Sequence, residues 1–129
     1  MTRILALPDW VYKSHVRADA IPLSRRTAAR DAEDRVLWQD GEAAGFRLGT
    51  SAIAWTLGDL AGIALHSAVP AKGSGWLEIR LRWSTEPAGA SLLIDEPWSE
   101  AAEERLAELG ESIAHFLRLP FERHGAADA

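Results

Sequence analysis

The stretch Trp76-Leu77-Glu78-Ile79-Arg80-Leu81-Arg82-Trp83 limits the folds open to this chain more than any other. From Leu77 onward the odd positions are Leu77, Ile79, Leu81 and Trp83, and the even ones are Glu78, Arg80 and Arg82. Side chains in a strand alternate between two faces, so this order makes one apolar face and one charged face. A helix would scatter the same residues around its cylinder and leave no apolar stripe. The segment therefore reads as a half-buried strand, with its arginines turned to water or to a partner.

Shorter strands are expected around it. Ile4 to Leu7 ends at Pro8, Val36-Leu37-Trp38 precedes turn chemistry at Gln39-Asp40-Gly41-Glu42, and Phe46, Leu48 and Thr50 alternate with Arg47 and Gly49. Trp10-Val11-Tyr12, Val16 and Ala20–Leu23 favour extended backbone, the last because Pro22 restricts Ile21. Thr27–Arg35 reads as either a capped helical turn or a loop. Ala52–Leu57 and Gly62–Val69 read as strands on either side of a Gly58-Asp59 turn. Asp59 is the only formal charge between residues 51 and 71. Gly58, Asp59, Gly62 and His66 interrupt that run, and an aspartate at mid-bilayer costs about 2.5–3.5 kcal/mol, so no membrane span is expected. Ala90–Asp95 reads as a strand antiparallel to 76–83, interior to its sheet because Leu92, Leu93 and Ile94 are apolar in succession.

Ser99 is a helix N-cap, followed by Glu100, Glu103 and Glu104 where the helix dipole favours anions. Ala102, Leu106, Leu109, Ile113, Phe116 and Leu117 form one helical stripe, which Pro120 ends after Leu119. Gly110 within the stripe marks close packing. Strands from about residue 36 to 95 followed by one amphipathic helix give an α+β class. The expected architecture is a curled antiparallel sheet or small barrel with the C-terminal helix packed on it. Residues 1–122 form one domain in this reading, and residues 123–129 form a frayed tail.

Leu57-Gly58-Asp59-Leu60-Ala61-Gly62-Ile63, the Trp76–Trp83 and Ala90–Asp95 strands, and a helix ending Phe116-Leu117-Arg118-Leu119-Pro120 together resemble the second half of bacterial pleckstrin-homology-like domains. The resemblance covers roughly residues 46–120 and rests on element order. It implies a bent antiparallel barrel with a helix across one open end, and a role as a protein-interaction scaffold. The chain departs from the lipid-binding members, having no cluster of lysines and arginines in a loop between early strands.

The chemistry is sparse. The chain has no cysteine, which excludes disulfides, thiolate metal sites and cysteine nucleophiles. His15, His66, His115 and His124 have no ligand spacing, and Lys72-Gly73-Ser74-Gly75 lacks the order of a phosphate loop. His66 reads as a satisfied strand histidine and His115 as a surface one. Asp95 and Glu96 read as solvated or capping carboxylates before they read as an acid and base. No enzyme, cofactor or metal is expected.

Net charge is −5, with eight basic and seven acidic residues in 1–50 but three and eight in 96–129. The only basic cluster, Arg25, Arg26 and Arg30, is offset at once by Asp31, Glu33 and Asp34, so nucleic acid is not an expected ligand. The apolar run before Pro8 is too short for a signal-peptide core, which points to a cytoplasmic chain. Twelve arginines against two lysines, with no asparagine, suggest a GC-rich bacterial or phage gene.

Six tryptophans are more than a small core buries. Trp55 and Trp83 are assigned to the core, whereas Trp76 and Trp98 stand at element ends where interface rings occur. The candidate interaction surface is therefore Trp76, Arg80, Arg82, Trp98, Glu104, Glu108 and Glu111. The expected function is a non-catalytic protein-binding or assembly module, compatible with homo-oligomers. Two alternatives stay open: a ligand-binding barrel or enzyme with a pocket between sheet and helix, and an acidic decoy for a basic partner.

Overall fold

Wherever the sequence alternates, the chain is extended. The computed structural model describes residues 2–11, 21, 23–29, 32–49, 51–69, 75–85 and 91–127. In chain order its strands are β1 (Arg3–Ala6), β2 (Arg26–Thr27), β3 (Val36–Asp40), β4 (Ala43–Leu48), β5 (Ser51–Thr56), β6 (Leu60–Val69), β7 (Trp76–Trp83) and β8 (Ser91–Pro97). Helix α1 (Glu100–Leu117) and strand β9 (Phe121–Ala127) follow. A 3₁₀ turn, Leu23–Arg25, leads into β2. The expected extended pieces at Tyr12, Val16, Ala20 and Pro22, and the loops at 70–74 and 86–90, lie outside the described residues.

The strands form two sheets. The first has the order β1-β3-β4-β5-β2 and is antiparallel throughout. The second has the order β8-β7-β6-β9, with β6, β7 and β8 antiparallel and β9 parallel to β6. The two sheets are not joined into a closed barrel, which corrects that part of the expectation. The α+β class itself holds.

Parallel neighbours need a crossover connection, commonly a helix. Here α1 carries the chain from β8 at one edge of the second sheet to β9 at the other. Two expectations are corrected by this topology. Residues 121–127 are a paired strand, not a tail frayed from Arg123, and β8 is an edge strand among the described residues, not an interior one.

The apolar face of β7 is shut off from water: Leu77, Ile79, Leu81 and Trp83 have no exposed surface. They belong to one buried cluster with Leu37, Phe46 and Trp55 of the first sheet, Ile63 and Leu65 of β6, and Leu106, Ile113 and Phe116 of α1. The whole helical stripe read from the sequence is buried. Its start is capped by Ser99, whose Oγ accepts from the Ala102 amide at 3.0 Å. Arg118 ends it in the left-handed conformation, φ 61°, and the Leu119 amide donates to the Ala114 carbonyl at 2.8 Å. No helix of the described residues is long and apolar enough to cross a membrane.

Gly110 shows why α1 and β9 fit together. A Cβ there would stand 2.4 Å from Cε1 of Phe121, so the phenyl ring of β9 packs onto bare helix backbone. In β4, a Cβ on Gly45 would lie 2.4 Å from the Ile53 carbonyl oxygen and 2.7 Å from the Trp38 ring. That close approach lets Trp38 lie over its cross-strand partner and be buried.

Candidate functional site

The outward face of the second sheet is built by the even positions of β7. Across the sheet, Arg80 is level with Ala64 of β6, and Ala64 is level with Glu122 of β9. Glu78, His66 and His124 form the next row, and Trp76 is level with Ala68. The central strand is small here, with Gly62, Ala64 and Ala68 facing outward between the inward Ile63 and Leu65. Long side chains can therefore lie across it. Arg82 of β7 reaches over β6 to Glu122 of β9, Nη2 to Oε1 3.1 Å. Ala64 is fully buried beneath these side chains although it is on the solvent side.

Arg80 donates from Nε (3.0 Å) and Nη2 (2.7 Å) to one carboxylate oxygen of Glu78. Both arginines of the candidate surface are thus matched by acids of the same face, and neither presents an isolated charge. Trp76 is different. It is 51% exposed at the start of β7, beside an open cleft of about 230 Å³ that His66, Ser67, Glu78, His124 and Gly125 also line.

His66 and His124 meet in this cleft, their rings stacked with centroids 4.9 Å apart and planes 23° from parallel. Glu122 Oε2 lies 3.1 Å from His124 Nε2. The His66 pKa is lowered, first because partial burial disfavours the imidazolium, then by the neighbouring His124 and Arg80, with Glu78 and Glu122 opposing. Nothing in the sequence announced this pair. The two residues are far apart along the chain, and only the return of β9 alongside β6 joins them.

The remaining candidates lie elsewhere. Glu104, Glu108 and Glu111 are exposed on α1, which packs its other side on the buried face of the second sheet. They stand on the opposite side of the sheet from Trp76, Arg80 and Arg82, so the proposed surface is two surfaces. Glu108 and Glu111, with Ser112 and His115, border an open groove along the helix. Trp98 is not an exposed ring: it is half-buried against the core, and its indole N–H donates to Glu103 Oε1 at 2.8 Å. Glu103 also accepts from Arg123 Nη2 at 2.9 Å, which ties β9 to the helix.

A second polar cluster is structural. Asp59, in the turn after β5, binds Arg25 through Oδ1 and accepts from Thr85 Oγ1 through Oδ2 at 2.6 Å. Arg25 also donates to Thr85 at 2.6 Å and covers the Trp83 ring, 4.6 Å from its centroid. Arg26 donates to the Ile21 carbonyl at 2.6 Å. The only basic cluster of the sequence is thus partly spent on internal contacts, with Arg30 outside the described residues. The Thr85 hydroxyl and the Arg25 guanidinium hold the Asp59 carboxyl below its ordinary value.

Leu77 and Ile79 of the second sheet and Leu106 and Ile113 of α1 belong to one buried cluster. Among the described residues, no three His, Asp or Glu side chains converge on one point as metal ligands would. Comparison of the chain with family models, with curated proteins and with solved structures gives no match.

Proposed function

We propose that this chain is a cytoplasmic, non-catalytic protein-binding module that takes its partner on the outward face of the second sheet, with Trp76 as the anchor. The observation that carries this reading is the exposure of Trp76. A large aromatic ring half in water costs free energy that a partner's apolar side chain would recover, and such rings dominate binding energy at interfaces. The adjoining cleft offers a recess, and the matched ions Arg80–Glu78 and Arg82–Glu122 supply a polar rim. A scaffold role is also what the sequence resemblance of residues 46–120 to pleckstrin-homology-like domains implies, without the basic loop of lipid-binding members. The anionic side of α1 lies away from the anchor and acts at longer range, favouring a partner with a basic surface.

The test compares the proteins retained from the native host by the wild-type chain and by Trp76→Ala, with a retained partner then titrated in purified form. Loss of affinity by about 2 kcal/mol or more with an unchanged melting temperature supports the anchor. Retention of the same partner at the same affinity by Trp76→Ala sinks it.

A further inference from the structure

Glu78, His66 and His124 occupy directly opposed positions on three neighbouring strands, β7, β6 and β9. Side chains in such a row leave the sheet on one face, about 4.8 Å apart at the backbone. Glu122 adds a second carboxylate in contact with the His124 ring. The stack buries little apolar surface, since the His124 side chain is 51% exposed, so its contribution to the core is small.

We propose that His66 and His124 chelate a divalent ion of the late first transition row, with water completing its shell. Imidazole nitrogens suit zinc, nickel and copper, whereas magnesium and calcium select all-oxygen sites. Two imidazoles bridged by one ion need their nitrogens within about 4 Å, given metal–nitrogen bonds near 2.0–2.1 Å. The ring nitrogens lie off the centroids, so with centroids 4.9 Å apart, rings turned edge-on to a shared point bring one nitrogen of each within that span. Imidazole χ2 is a broad torsion, so each ring can swing out of the stack toward a shared point while its strand stays fixed. The chelate is two-toothed in its protein part, consistent with the lack of any three converging ligands among the described residues. The cleft is open to solvent beside Trp76, which gives the ion an entry path.

Calorimetric titration of Ni²⁺ into the chelator-stripped, full-length chain at about pH 7.5 tests the site, with Mg²⁺ as the control. One Ni²⁺ per chain is expected, weakened about tenfold or more by His124→Gln and by His66→Gln. His124 is exposed on an edge strand, so its variant tests the proposal even if the His66 variant fails to fold. His115→Gln should leave the titration unchanged. Trp76→Ala should also leave it within about twofold, which separates this site from the partner anchor. Wild-type heat no larger than that of Mg²⁺, or a His124→Gln variant that binds as well as wild type, overturns the proposal.

Discussion

The two faces of β7 differ in composition and in what each is held by. Leu77, Ile79, Leu81 and Trp83 are sealed into a core shared by both sheets and the helix, where each side chain is fixed by many neighbours. Glu78, Arg80 and Arg82 on the other face are held by ion pairs over a small-residue strand, and Trp76 is half in water. A substitution on the inner face is answered by the whole fold, and one on the outer face by a few partners. That asymmetry leaves the outer face chemically free to carry function.

The largest expected effect breaks the inner face. Ile79→Asp places a carboxylate with no available partner inside the core and should unfold the chain, a loss above about 4 kcal/mol. Arg80→Asp, one residue on, should cost about 1 kcal/mol, because it removes an ion pair with Glu78 and sets two acids together at a partly exposed site. Denaturant melts of the two variants check the contrast. Equal losses would mean that the faces are not distinct.

Gly110→Ala sharpens the comparison where the helix meets β9. Alanine in an otherwise unhindered helix adds about 1 kcal/mol of stability. Here its methyl would enter the Phe121 ring, and overpacking of that kind costs about 1–3 kcal/mol. Net destabilisation is expected, and a chain made more stable by about 1 kcal/mol would mean that β9 does not pack on α1.

How much of this was legible in the sequence follows from the strength of each local signal. β7 and α1 are plain because every residue in them obeys one period, and the Ser99 cap and Pro120 stop agree with that period. β9 was missed for the opposite reason. Arg123-His124-Gly125-Ala126-Ala127 has no β-branched residue and no apolar alternation, so its extended form comes from pairing with the β6 backbone. The His66–His124 contact depends wholly on that pairing and was therefore invisible as well. Trp98 was misread because an aromatic residue at an element end gives no sign of which way it turns. The Glu103 carboxylate five residues on accepts its N–H and turns it inward. Trp76, at an equivalent place on β7, is exposed as its position at the strand's start suggested.

A smaller effect is expected where the edge of the core is tied by charge. The Asp59 carboxyl is held below its ordinary value of 3.8 by the Thr85 hydroxyl and by Arg25. A lowered folded-state pKa contributes stability that is present above the unfolded value, near 3.8, and lost as pH falls through the folded one. Asp59→Asn should therefore melt below wild type at neutral pH, with the gap closing as pH is lowered below the unfolded value of 3.8. Thermal melts across that range check it, and a gap constant with pH would remove ionisation as the source of the tie.

The smallest effect on folding is expected on the outer side of α1, and it is there that stability and association should part most clearly. Glu104, Glu108 and Glu111 are exposed, and Glu104 and Glu108 are like charges one helical turn apart, an arrangement that opposes the helix by a few tenths of a kcal/mol. Replacing all three by glutamine should leave the melting temperature unchanged or slightly raised. The same change removes three of the eight acidic residues in 96–129 and with them most of the helix's outward field. If that field steers a basic protein partner, the association rate should fall severalfold at low salt while dissociation is little altered, and the difference should vanish as salt rises past the screening range. Stopped-flow association of wild type and the triple variant, measured from about 50 to 500 mM salt, separates the two contributions. A rate indifferent to both the substitutions and the salt would leave the helix glutamates with solubility as their role, and would assign partner choice to the apolar ring of Trp76 alone.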